Sequence, residues 1–324
     1  MSTSQLNAMI AAQPESLRSI ATLDLTDHTA RLAGAQRVLL VGTGTSLHAA
    51  ELGAALLQGA SLDARALASS IFARWSPPLR EGDAVILISH TGETAYARAA
   101  REIVRAAGVP LVCITGPQAG WEGAITTPLA ETAETYSVSY TATLGVLSLI
   151  GDALGAPSSG PDALTTVASA LEPIIASGDR WDGLLPERAL AVIGAGPWSI
   201  TAREGALKIR EAARLLCEGF DAERFLHGAA VPYRPGDVLI AVQPDADPDG
   251  LVHGLLDTAR DEGLRVETIT QADPPTSPLL AQIVPTVRLQ LLAAELADKR
   301  GTDPDVAIVG GWGSPDLWRA GAPG

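Results

Sequence analysis

Val38-Leu39-Leu40-Val41-Gly42-Thr43-Gly44-Thr45-Ser46 decides the fold: four aliphatic residues, two glycines one residue apart, and hydroxyls that open a helical stretch. Such a run predicts a strand buried on both faces that turns sharply into a helix. It recurs as Leu190-Ala191-Val192-Ile193-Gly194-Ala195-Gly196-Pro197-Trp198-Ser199, with Gly194 standing 152 positions after Gly42. A second run repeats as well. Residues 82–89 (GDAVILIS) are echoed by 236–243 (GDVLIAVQ), 154 positions on. Two matching offsets predict an internal duplication.

Strand-like runs at 37–41, 83–89, 110–115, 189–193, 237–242 and 265–270 alternate with helix-length segments. That rhythm predicts an α/β protein with parallel sheets covered by helices. The 324 residues suit two units of roughly 150 each. A boundary falls in GAPSSGPD, residues 155–162, where Gly, Pro and Ser cluster. The expected organisation is a lead-in helix over 1–28, a first domain over 29–160, a second over 161–310, and a glycine-rich tail over 311–324 that packs before giving way to disorder.

Twenty-three basic against thirty-seven acidic residues leave a net charge of −14. A field of that sign repels polyanions, so no nucleic acid is expected. The apolar runs read as too short for a bilayer, and the N-terminal residues lack the charged start and apolar stretch of an export signal. With only Cys113 and Cys217, no disulfide framework is expected either. The chain reads as cytoplasmic, with no membrane partner.

Each glycine turn resembles the start of a dinucleotide fingerprint, but Leu47 and Ser199 stand where its third glycine belongs. No cofactor is expected. Instead Gly44, Thr45 and Ser46 in one turn, and Ser89, His90, Thr91, Gly92, Glu93 and Thr94 after the next strand, place two hydroxyl-rich loops at neighbouring strand ends. Ser and Thr there could simply cap helices. Two loops converging on helix N-termini favour a small phosphate. In the second copy the corresponding turn is Gln243-Pro244-Asp245-Ala246-Asp247. Its carboxylates repel an anion, so phosphate is expected in the first copy alone.

Lysine occurs only at 208 and 299. ITAREGALKIREAARLLCEGF, from Ile200, reads as one helix, on which Glu204, Lys208, Glu211 and Leu215 share a stripe apart from Arg203, Arg210 and Arg214. Glu204 and Lys208 could be a plain i, i+4 ion pair. Glu211, between Leu207 and Leu215, is expected to be partly desolvated and so tuned toward a base. His227, before Gly228, reads from spacing alone as a capping or core residue.

Glu204-Gly205-Ala206-Leu207-Lys208-Ile209-Arg210-Glu211 followed by His227-Gly228 resembles the isomerase half of glucosamine-6-phosphate synthase, of the double sugar isomerase (SIS) domain family. Gly44-Thr45-Ser46 with His48, Ser89 to Thr94, and Gln13-Pro14-Glu15 are similar to that family's other motifs, so the resemblance runs from about residue 9 to Asp303. It implies two tandem SIS domains, each a flavodoxin-like sandwich, in a homodimer with the active site shared between subunits. It implies phosphate held by Ser46, Ser89, Thr91 and Thr94, with Ser137 and His90 beside them; His90 replaces a glutamine and is expected to be partly protonated by the phosphate. By the same resemblance Glu211 shuttles a proton between C1 and C2, His227 opens the sugar ring, and Lys208 and Glu204 support Glu211. Departures redirect the reaction. No glutaminase domain precedes residue 30, Thr141 replaces a lysine, and no lysine follows Lys299. The expected activity is therefore an aldose-ketose isomerase or amino-sugar-phosphate deaminase, with a deglycase of sugar-phosphate amine adducts or a non-catalytic sensor as alternatives.

Overall fold

The computed structural model describes residues 4–76, 78–178, 181, 184–242, 247–270 and 277–319. The strands form two wholly parallel sheets. The first holds β1 (Arg37–Gly42), β2 (Ala64–Ala68), β3 (Asp83–Ile88), β4 (Leu111–Thr115) and β5 (Ile125–Thr126) in the order β2-β1-β3-β4-β5. The second holds β6 (Ala189–Gly194), β7 (Leu216–Asp221), β8 (Val238–Val242) and β9 (Arg265–Ile269) in the order β7-β6-β8-β9. Both follow the flavodoxin-like order, the second with one strand fewer among the described residues.

Side chains alternate across each strand. Val38, Leu40 and Ile86 of the first sheet share one core with Leu190, Val192 and Ile240 of the second. Leu39, Val41 and Leu87 pack outward on the helix Ala95–Ala107, and Ala191, Ile193 and Leu239 outward on the helix Leu251–Asp261. The inner faces are bridged by a shared helical layer that includes Thr45–Gly59, Val138–Ala153, Trp198–Ala213 and Ile283–Arg300.

The two sheets share details at corresponding positions. Arg37 clamps the buried carboxylate of Asp83 at 2.9 and 2.6 Å while the Arg80 N–H donates to it. Arg188 and the Arg234 N–H do the same for Asp237. Each pair ties the first strand of its sheet to the neighbouring strand at the N-terminal end. The glycine turns match too: a Cβ on Gly42 would lie 2.3 Å from the Ser46 carbonyl oxygen, and one on Gly194 would lie 2.5 Å from the Trp198 carbonyl. Only glycine lets strand and helix approach so closely.

Three expectations are corrected. The stretch from Ile200 is not one helix to Phe220: it stops at Ala213, Arg214 adopts a left-handed φ of 51°, and Leu216–Asp221 pairs with β6 as β7. Gly219 explains the change, since a Cβ there would sit 2.4 Å from the Cα of Arg203, so this strand lies directly against the preceding helix. The lead-in segment is three helices, Gln5–Ala11, Gln13–Ala21 and Thr26–Leu32. Finally, Leu280–Arg300 is long and apolar enough to cross a membrane, but 78% of an 18-residue apolar window within it is buried inside the fold. Residues 243–246, where the second copy's acidic turn was read, and 320–324 of the tail lie outside the described residues.

Candidate active site

Because β1 and β3 are parallel neighbours, their C-terminal ends carry both hydroxyl loops to one edge of the first sheet. Gly44, Thr45, Ser46, Ser89, His90, Thr91 and Thr94 all line a single cleft there. Gly44 turns the chain with φ 56°, and the helix Thr45–Gly59 begins at once. Thr94 is the N-cap of the helix Ala95–Ala107. The cleft is thus fed by two helix N-termini, each presenting backbone N–H groups and the positive end of its dipole. The Glu93 N–H donates to Thr91 Oγ1 at 3.2 Å and shapes the second loop from within.

The helix Trp198–Ala213 of the second sheet packs against Thr45–Gly59, which brings the Glu, Lys, Glu stripe to the loops. Glu204 is fully buried. Its carboxylate accepts from Thr45 Oγ1 at 3.1 Å and from His48 Nδ1 at 2.6 Å, and lies 3.6 Å from Lys208 Nζ. Burial alone would raise its pKa; Lys208 and His48 outweigh that and hold it below the ordinary carboxylate range. The first hydroxyl loop and the stripe are therefore bolted together through one carboxylate. Arg203 and Glu51 add a second ion pair between the same two helices.

Lys208, 1% exposed, lies 2.6 Å from Glu211 Oε2. Desolvation would lower its pKa, but Glu211 and Glu204 hold it above the ordinary lysine value, so the ammonium persists. Glu211 lines the cleft with Leu207. Burial raises its pKa, with Lys208 pulling the other way. A carboxylate reaching the cleft, shifted toward neutrality and oriented by a fixed ammonium, is equipped to take a proton from carbon beside a carbonyl.

His90 is held in place by its neighbours. Its Nε2 accepts a hydrogen bond from the Glu131 N–H at 3.2 Å, its ring packs edge-on to Tyr136 at 5.7 Å, and Gly116 leaves it room that a Cβ would take, coming within 2.4 Å of Cε1. Burial lowers its pKa. The imidazole is neutral with its proton on Nδ1. Ser137 is fully buried, its N–H donates to Glu131 Oε2 at 2.9 Å, and Ser139 lines the cleft beside it. Glu131, Ser139 and Tyr140 were missed by sequence reasoning. Their only signal was an acidic residue shortly before the hydroxyl-rich start of a helix.

His227 does not reach the cleft of its own chain. It sits in a turn at Phe225–Ala229, 71% exposed, with Glu223 as its partner at 3.6 Å. Leu226 and Val231 beside it are exposed too. Among the described residues no cluster of His, Cys, Asp and Glu is arranged to hold a metal ion.

Residues 31–120 match the family model of the SIS domain. The glutamine–fructose-6-phosphate aminotransferase (isomerizing) of Bacillus spizizenii is 28% identical over 308 residues, covering 86% of this chain and 51% of that protein. The chain therefore spans about half the length of the curated relatives it matches. The solved tagatose-6-phosphate ketose/aldose isomerase from Escherichia coli superposes with a TM-score of 0.81 at 16% identity, covering 96% of this chain and 97% of that one. Glucosamine-6-phosphate deaminase from Thermotoga maritima gives 0.76 at 18% identity, covering 93% and 97%. The stretch matched by the SIS domain model is the one that builds β1 to β4 and both hydroxyl turns of the cleft.

Proposed function

We propose that this protein binds the phosphate of an open-chain hexose or hexosamine phosphate at residues 44–46 and 89–94, and that Glu211 moves a proton between C1 and C2. In this reading residues 29–160 and 161–310 are two tandem SIS domains, the first holding phosphate and the second supplying acid and base. The observation that carries it is the join between them: Glu204 fixes the stripe helix to Thr45 and His48, so Glu211 faces the cleft at a set distance from the loops. The described relatives support the substrate class, since their names specify fructose, tagatose and glucosamine 6-phosphates.

The exposed His227 with Leu226 and Val231 supports a homodimer in which that histidine serves the other subunit's cleft and opens the sugar ring. Whether nitrogen is released is a property of the substrate rather than of the proton-transfer pair, so isomerase and deaminase share this chemistry. A deglycase of amine adducts would use the same pair.

Exchange of the C1 or C2 hydrogen with deuterated water, followed by NMR over hexose, hexosamine and fructosamine phosphates with an ammonia readout, tests the reading. Exchange that Glu211→Gln abolishes supports it; equal exchange in that variant overturns the base assignment. The exposure of His227 also favours a second reading, a sugar-phosphate sensor that binds without turnover. It expects thermal stabilisation by ligand with no exchange in any substrate.

A further inference from the structure

Glu131 is half-buried beside the cleft and hydrogen-bonds to residues on two of its walls, His90 and Ser139. Its N–H donates to His90 on the second hydroxyl loop. Its Oε2 accepts from the N–H of Ser137 at 2.9 Å, the N–H of Ser139 at 3.0 Å and the hydroxyl of Ser139 at 2.9 Å, all at the start of the helix Val138–Ala153. The first two bonds are a helix cap. The third has a different consequence, because Ser139 lines the cleft and its only proton is committed to Glu131.

We infer that Glu131 is a positioning residue that fixes the hydrogen-bond polarity of Ser139, making Ser139 Oγ an acceptor for a ligand hydroxyl or amine of the bound sugar chain. The inference rests on the phosphosugar reading above and adds to it a specificity element. A serine hydroxyl ordinarily rotates and serves as donor or acceptor as the ligand requires. Here the donor direction is taken. Oε2 already receives two backbone N–H groups, so a proton on this carboxyl would reside on Oε1, and Ser139 would remain the donor in either protonation state. The lone pairs left on Ser139 Oγ then favour a ligand O–H or N–H and disfavour a phosphate or carboxylate oxygen. Such a site rejects an analogue lacking the group, because the buried acceptor is left unpaired.

The experiment compares two probes on the full chain by NMR or calorimetric titration: sorbitol 6-phosphate, an open-chain hexitol phosphate, and inorganic phosphate. Ser139→Ala and Glu131→Gln are expected to weaken sorbitol 6-phosphate about tenfold while leaving inorganic phosphate unchanged, and Ser139→Thr, which keeps the hydroxyl, to restore the hexitol affinity. Retained phosphate binding shows that each variant is folded. If Glu131 is a helix cap and nothing more, Glu131→Gln weakens both probes alike and Ser139→Ala weakens neither; either result overturns the inference. If the parent protein binds neither probe, the phosphosugar reading fails and the inference falls with it. A parent that prefers the hexitol phosphate while Ser139→Ala does too sinks the inference alone.

Discussion

His48 Nδ1 lies 2.6 Å from Glu204 Oε2, so a residue of the first glycine-turn helix is held by a fully buried carboxylate of the second half. A carboxylate only accepts, so His48 Nδ1 is the donor. Glu204→Ala would leave Lys208 with one partner, strip two donors of their acceptor, and loosen the loop. The expected loss is about 3–5 kcal/mol in denaturant unfolding. Phosphate affinity of the surviving folded protein should fall as well; a variant as stable as the parent would show that the join is not structural.

The acid limb of the rate should report Glu211. Burial holds its pKa above the usual carboxylate value of 4.5, and the base works only when ionised, so activity rises with pH through that shifted value. Lys208 favours the ionised form. Lys208→Met should move the limb to higher pH and lower the rate at neutrality. A limb that stays put in kcat/KM would assign it to another group.

His90 gives a stability signature. Its folded pKa lies below the ordinary 6.5 because the ring is buried, so below 6.5 the unfolded chain binds a proton that the folded one does not. Stability contributed by the neutral ring is full above 6.5 and is lost as pH falls toward the folded value. Chemical denaturation between pH 7 and 5 should show this slope, and His90→Gln should flatten it.

The paired glycine turns allow a matched comparison. Gly42→Ala forces a Cβ onto the Ser46 carbonyl, and Gly194→Ala forces one onto that of Trp198. Each is expected to cost about 1–3 kcal/mol or more. Only Gly42→Ala should also weaken phosphate, measured below the melting temperature. Equal weakening by both would move the anion site away from the first turn.

Much of this architecture was legible because it is written in local pattern. The aliphatic runs at β1, β3, β4, β6 and β8 bury both faces, whereas β9 buries only Ile269, and the two glycine turns need no partner to be recognised. β2, β5 and β7 escaped notice. β7 reads as helix because Leu216, Cys217 and Phe220 continue a plausible stripe, and only the close approach of Gly219 to Arg203 shows why it is a strand. Seven loop residues were placed in the cleft from hydroxyl content and strand order. Glu131 and Ser139 were not, since their meaning comes from a carboxylate folding back six to eight residues onto a helix start, a geometry that no spacing rule encodes.

The common core beneath both sheets bears on how the chain folds. Val38, Leu40 and Ile86 have no closed interior without Val192 and Ile240 on the far side of the helical layer. Residue 160 then lies between two halves of the chain that share this core. Cutting there would expose the inner face of each half, so neither fragment should hold a native structure alone, and the whole chain should melt in a single calorimetric transition. A ligand bound at the first sheet would stabilise the second to the same degree.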